Sequence, residues 1–294
     1  MARVPGVLES PDNAAGGHLG AKTAVVIHGT RPDRATRGYR PGVTSAPVVP
    51  KPAATVVLIR DAPAPPPGRT ALQVFLQRRV AGMAFAGGMT VFPGGSVDPS
   101  DHVDVPRWIG PDPTAWGERF GHPPALAAAL VKAAVRETYE ECGVLLAGDG
   151  PVNLPREVRT ELVARRTTLP DLLGERPLRA DLLRAWSRWI TPPSSPRRYD
   201  TAFLVAQLPA AQDADAHTTE AVEARWWHPA EALEHWDAGD LKLMLPTQTT
   251  LREIDEYPDC AAVLAGAEHR TIEPIHPELR LHDGVDILLP GDVS

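Results

Sequence analysis

The stretch Arg136-Glu137-Thr138-Tyr139-Glu140-Glu141-Cys142-Gly143-Val144 sets the tightest limit on what this chain can become. Residues three and four apart share one face of a helix. Glu137, Glu140 and Glu141 therefore fall within an arc of roughly 100°. Val131, Val135, Thr138, Tyr139 and Cys142 fall on the other side, and Gly143 suits a helix C-cap. An ordinary solvated helix would place a lysine among three clustered glutamates. Here the nearby cation is Arg136, four residues before Glu140. Clustered carboxylates repel unless something cationic sits between them. Hard oxygen donors of this kind suit Mg²⁺ or Mn²⁺.

Upstream, Val91-Phe92-Pro93-Gly94-Gly95-Ser96-Val97-Asp98 reads as a strand running into a glycine turn. Together the two stretches resemble the Nudix box, GX5EX7REUXEEXGU, where U is aliphatic. Asp101 stands where the family has its first glutamate. The interval from Asp101 to Arg136 is far longer than the family's, so an insertion splits the box. Thr138 occupies an aliphatic position. The resemblance implies an α/β fold, a Nudix-type α/β/α sandwich with helical insertions. It implies a Mg²⁺- or Mn²⁺-dependent hydrolase that cuts a diphosphate linked to another moiety. In that reading Glu137, Glu140 and Glu141 are metal ligands, with the Gly94 carbonyl and Asp101 as further ones. Glu137 and Glu141 are catalytic, and Arg136 orients the glutamates and the glycine loop. The general base comes from the box or from a later loop, where Glu220 and Glu223 are the candidates. Both also read as ordinary exposed acids beside a strand.

The residues before the glycine turn resemble the coenzyme A diphosphatase pattern LLTXRSX3RX3GX3FPGG. Arg79, Gly88 and Phe92-Pro93-Gly94-Gly95 match, while Val80 and Ala84 replace the serine and the second arginine. Trp189-Ile190-Thr191-Pro192, followed by Pro196-Arg197-Arg198-Tyr199-Asp200-Thr201, resembles a segment of the animal peroxisomal acyl-CoA diphosphatases. Those proteins also carry a long insertion inside the box. The resemblance implies substrate contacts from Arg79, Gly95, Arg197 and Arg198. The two arginines at 197–198 read equally well as a solvated loop end. The products would be adenosine 3′,5′-bisphosphate and phosphopantetheine or its acyl form. Two alternatives stay open: a pyrophosphatase of ADP-ribose, NADH or a nucleoside triphosphate, and a non-catalytic Nudix-like binding or regulatory module. The intact glutamates argue against the module, and Ala84 keeps the other substrates in play.

The chain has 294 residues and a net charge of −7, which argues against nucleic-acid binding. Cys142 and Cys260 give neither a disulfide framework nor a zinc motif. No run approaches the roughly 20 apolar residues of a membrane span, and the N-terminus lacks a signal-peptide pattern. The expectation is a cytoplasmic enzyme of a small-molecule diphosphate, not bound to membrane, with a homodimer left open.

Residues 1–50 are rich in Gly, Pro, Ala and Arg and are expected to be a flexible extension, with a short strand at 23–27. The hydrolase domain is expected over 51–294. Strands are predicted at 54–60, 72–78, 199–208 and 221–227, with short ones over 279–289. A long helix is predicted over 125–146, and further helices over 156–165, 178–190 and 247–257 and from Pro229. Two irregular insertions, about 99–122 and 148–189, interrupt the core. Trp186, Trp189, Trp226 and Trp227 read as packing residues.

Overall fold

The computed structural model describes residues 25–26, 48–83, 86–150, 152, 154–215, 217, 220–282 and 284–288. Most of the extension expected over residues 1–50 lies outside the described residues, as does Ala84.

The chain divides into two units. The smaller takes in Met1–Arg34 and Glu278–Ser294. Within it, Val25–Val26, Gly284–Leu288 and Glu278–His282 form an antiparallel sheet in that order, with Val25 opposite Ile287. The C-terminal tail thus groups with N-terminal residues, whereas the sequence reading set it in the hydrolase domain.

The larger unit, Ala35–Pro277, holds everything else. Its strands are β1 (Lys51–Asp61), β2 (Leu72–Arg79), β3 (Thr90–Val91), β4 (Gly94–Ser96), β5 (Trp108–Ile109), β6 (Leu178–Arg179), β7 (Leu183–Ile190), β8 (Tyr199–Gln207), β9 (Ala221–Trp227) and β10 (Pro274–Ile275). Its helices are α1 (Pro113–Phe120), α2 (Pro124–Cys142), α3 (Arg156–Val163), α4 (Leu169–Leu173), α5 (Pro229–Asp237), α6 (Leu245–Asp255) and α7 (Cys260–Glu268). None of the described helices is long and apolar enough to cross a membrane.

The main sheet runs β9-β2-β1-β8-β7-β10, with β3 beside β2 and β4 beside β1. Strand β1 is its spine. On one side it pairs in parallel with β8, from Lys51 opposite Tyr199 to Ile59 opposite Gln207. On the other side its end pairs with β2 and its start with β4. Between those two partners the Val56 amide donates to the Pro93 carbonyl at 2.9 Å. The sheet therefore splits beside β1, and the Pro93-Gly94 turn fills the split. Both faces of β1 are covered, which is why it reads as a continuous apolar run. Ala54, Val56 and Leu58 share a core cluster with Leu130, Val131 and Ala134 of α2. Val57 and Ile59 are equally buried and, by strand alternation, face the opposite layer. There α7 packs on β7, β8 and β1, while α5 lies against β2 and α6. The result is the expected α/β/α layering.

Helix α2 opens on Pro124, a residue suited to a first turn, and runs through alanines that pack closely on β1. It ends four residues earlier than predicted. Gly143 adopts φ 76°, in the left-handed region, and its amide caps the Tyr139 carbonyl at 3.0 Å. Residues 144–147 leave the helix but stay buried.

The insertion at 99–122 is more ordered than the sequence suggested. It opens with a capped 3-10 turn over Pro99–His102 and continues through β5 into α1. Helix α1 starts on an Asp112 cap and packs on α2 through the stacked Trp116 and Phe120. Arg188 of β7 holds its end, donating to the Phe120 carbonyl at 2.7 Å while forking onto Asp200.

The second insertion corrects a prediction. Residues 178–190 form β6 and β7, not a helix, and β7 pairs antiparallel with β8. The register slips between Ala185 and Ser187, leaving Trp186 as a bulge. The extra residue breaks the period-2 alternation and spaces the large side chains like a helix face. Helix α7 was not anticipated at all; its cap is Asp259, which accepts from the Ala262 amide at 2.8 Å.

Trp186 is fully buried, donates from Nε1 to Glu253 at 2.8 Å, and lies under the Arg270 guanidinium. Trp186→Ala should lower unfolding free energy by about 3–5 kcal/mol in urea titrations. A loss below about 1 kcal/mol would remove Trp186 from the core.

Candidate active site

The last two turns of α2 carry Arg136, Glu137, Glu140 and Glu141 toward the glycine turn. Arg136 is the hub. Its Nε and Nη2 fork onto Asp101 at 3.0 and 2.9 Å. Nη2 also reaches the Ser96 carbonyl of β4 at 3.0 Å. Nη1 reaches Glu137 at 2.7 Å and Glu140 at 3.2 Å. A planar guanidinium can make these contacts together; an ammonium cannot. Burial alone would depress the Arg136 pKa, but Asp101, Glu137 and Glu140 outweigh it and hold it above the usual range.

Asp101 was expected to ligate metal. It is completely buried instead, with both oxygens engaged by Arg136 and one also accepting from the Asp98 amide at 2.8 Å. Its lone pairs serve the arginine and the turn at the start of the insertion, so it leaves the ligand set and becomes a support.

Gly94 and Gly95 are required by closeness. A Cβ on Gly94 would run into the Ala54 carbonyl and the Thr55 Cα of β1. A Cβ on Gly95 would stand 2.5 Å from Glu137 Oε1. Gly95, expected at the substrate, thus also makes room for a glutamate. The Gly94 amide donates to Glu141 Oε2 at 2.7 Å, and Gln77 Nε2 of β2 donates to the same oxygen. Arg79 sits on the same side of β2. It lies 3.5 Å from Glu141 and 3.1 Å from Glu220. The structure therefore brings Arg79 and Glu220 to the cluster.

Glu223 is not brought there. It pairs with Arg78, its cross-strand neighbour, on the opposite face of the sheet. Arg198 is held elsewhere, donating to the Thr191 and Val48 carbonyls at 2.9 and 2.7 Å. With Lys51, Arg197 and Tyr199 it lines a hollow of about 390 Å³ at the start of β1. That hollow lies about 13 Å along the strand from Thr55, which pairs with Gly94.

The three glutamates feel their burial. Burial, then the charge of Glu137, pushes Glu140 up to about 7. Burial and Glu137 push Glu141 up to about 8, against the pull of the Gly94 amide and Arg79. Burial also raises Glu137. Ionised together, the three would exceed what Arg136 and Arg79 neutralise. Among the described residues no three acidic, histidine or cysteine side chains converge as a ready-made metal site. Glu137 and Glu140 turn to Arg136, and Glu141 turns to Gly94 and Gln77. The donor set nonetheless fits a hard divalent cation: buried carboxylate oxygens whose charged forms want a positive partner.

Sequence reasoning missed Gln77, Arg159 and Asp215. Arg159 of α3 donates to the Glu140 carbonyl at 2.9 Å and to Asp215 at 2.6 Å, and the Asp215 amide donates to the Cys142 carbonyl at 3.0 Å. Helix α2 has no basic residue in its last turn; Arg159 supplies that charge from the second insertion. No short-range pattern announces such a contact. Gln77 left a faint signal, a polar residue following Phe75 on the inward side of an apolar strand.

Arg136→Lys should cost about 3 kcal/mol of stability, because the buried Asp101 loses its forked partner. Chemical denaturation measures it; a change under about 1 kcal/mol would show that the hub can be replaced by a point charge.

No family profile matches the chain. It is 25% identical over 271 residues to the acyl-coenzyme A diphosphatase NUDT19 of Xenopus laevis, covering 75% of this chain and 70% of that protein. The human protein of the same name is 27% identical over 286 residues, covering 78% and 74%. A crystal structure of a Nudix hydrolase from Alicyclobacillus acidocaldarius superposes with a TM-score of 0.60 at 27% identity. It covers 75% of this chain and 97% of that one.

Proposed function

Taking the chain as what these likenesses make it, a Nudix hydrolase resembling the acyl-CoA diphosphatase branch, we propose that it hydrolyses the diphosphate of CoA or acyl-CoA. The products would be adenosine 3′,5′-bisphosphate and phosphopantetheine or its acyl form. The observation that carries the reading is the cluster of Glu137, Glu140 and Glu141 at the end of α2, set against Gly94 and Gly95 and short of positive charge.

Nudix hydrolases generally use divalent metal ions. Glu137, Glu140 and Glu141 would hold one here, with the Gly94 carbonyl, and Mg²⁺ or Mn²⁺ suits those oxygens. A bound divalent cation would neutralise charge developing on the diphosphate oxygens. The rest of the work falls to the chain. Arg136 fixes Glu137 and Glu140 and ties them to β4 through Ser96. Arg79 lies between Glu141 and Glu220 and supplies charge for the phosphate groups. Glu220 is half-exposed beside the cluster, suited to take the proton of an attacking water. The cytoplasm is the compartment we assign.

The choice of CoA rests on the named relatives and on the basic hollow formed by Lys51, Arg197 and Arg198. A 3′-phosphate distinguishes CoA from most nucleoside diphosphate compounds, and a hollow lined by cations suits a phosphate.

A substrate panel with Mg²⁺ and Mn²⁺ tests the reading, with products identified by mass: CoA, acetyl-CoA, a long-chain acyl-CoA, ADP-ribose, NADH and a nucleoside triphosphate. Release of adenosine 3′,5′-bisphosphate from the CoA compounds is expected; cleavage of ADP-ribose or NADH alone would overturn the substrate. Glu141→Gln should cut turnover at least about 100-fold at saturating Mg²⁺. Unchanged turnover would remove Glu141 from the cation site. Arg197→Ala should lower kcat/KM for CoA about 10-fold while leaving dephospho-CoA unaffected. Equal losses on both substrates would take the hollow out of phosphate recognition.

A further inference from the structure

Gln77 is a buried polar residue that packing does not explain. It is 1% exposed. It follows Phe75 on the face of β2 turned toward α2, where an apolar side chain of the same length would pack without needing partners. Its Nε2 donates to Glu141 Oε2, the oxygen that also accepts from the Gly94 amide. With Glu141 ionised, the state that holds a cation, the reverse amide orientation would set the Gln77 carbonyl oxygen against a carboxylate oxygen, so the donor points at Glu141. Gln77 Oε1 then has no hydrogen-bond partner, and neither does the neighbouring Arg79 Nε, although both are buried. Native interiors satisfy such atoms with protein, ordered water or an ion.

The geometry has a direct consequence for Glu141. Two donors, one from β2 and one from the glycine turn, grip a single carboxylate oxygen. The grip fixes the rotation of the carboxylate and leaves Oε1 on the side of Arg79. A carboxylate held this way loses little freedom when its other oxygen takes a ligand. On the cation reading of the glutamate cluster, we propose that Gln77 is a positioning residue. It clamps Glu141 Oε2 so that Oε1 is presented to a divalent cation. Gln77 touches neither the cation nor the substrate in this role.

The test uses the full-length protein and Mn²⁺ alone, without substrate. Free Mn²⁺ is counted by electron paramagnetic resonance for the wild type and for Gln77→Met, a replacement of nearly the same shape, with Gln77→Leu as a second variant. Thermal unfolding of the metal-free proteins is recorded alongside. We expect the Mn²⁺ dissociation constant to rise about 10-fold in both variants. Metal-free Tm should stay level or rise, because an apolar side chain removes the unpaired amide oxygen. With Mg²⁺ and a diphosphate substrate, kcat should fall while KM for the substrate holds. If the wild type binds Mn²⁺ and the variants bind it equally well, the positioning role is overturned while the cation site stands. A lower metal-free Tm with unchanged Mn²⁺ affinity would make Gln77 a packing residue and also overturn it. If the wild type itself binds no Mn²⁺, the cation reading falls and takes this role with it.

Discussion

Everything at this site hangs on one guanidinium. Arg136 is 4% exposed and bonds to an aspartate from the insertion, two glutamates of its own helix and a carbonyl of the glycine strand. Leaving any of these partners unmatched in a dry interior would be costly. The arginine therefore does more than neutralise charge. It sets the distance between α2 and β4, and so the distance between the glutamates and Gly94. The carboxylates can remain crowded only because this cation is permanent, and they still carry more charge than it cancels.

A second device holds the same end of the helix from the opposite direction in sequence. Arg159 and Asp215 come from segments far apart in sequence, the second insertion and the loop after β8. Both grip carbonyls of the α2 terminus, and Gln212 of that loop exchanges two hydrogen bonds with Leu145 just beyond it. The loop then leads to Glu220. The end of the helix bearing the carboxylates is thus fastened to the loop that precedes the proposed base in sequence.

How much of this could be read from the chain alone depended on the range of the interaction. The spines of the fold were legible: 54–60, 72–78, 199–208 and 221–227 all became strands, because apolar runs bounded by turn residues report a local preference. The carboxylate arc and the Pro93-Gly94-Gly95 turn were legible too, since helix periodicity and the steric needs of glycine are also local. Failures came where one residue disturbed a period or where partners were distant. Trp186, as a bulge, disguised β7 as a helix. Asp101 was matched to a ligand position by spacing, and only the fold shows its oxygens consumed by Arg136. Glu220 and Glu223 were indistinguishable as neighbours beside a strand; the pleat separates them, sending one to Arg79 and the other to Arg78. Arg159 and Asp215 act across the tertiary structure and have no local signature, and Gln77 left only a polar residue on the inward side of an apolar strand.

The pairing of Asp101 with Arg136 spans 35 residues of sequence. Closing a longer excursion of chain is a gentle penalty, about 0.6 kcal/mol for each doubling of its length. The exposed part of that stretch, ahead of α1, can therefore grow, shrink or be exchanged at little cost, provided that it returns the acid to the arginine. The break in the signature becomes a graft point, where a lineage can refit the outside of the enzyme and leave its reactive groups in register. Any description of such enzymes as a contiguous string of residues will pass over those that used that freedom.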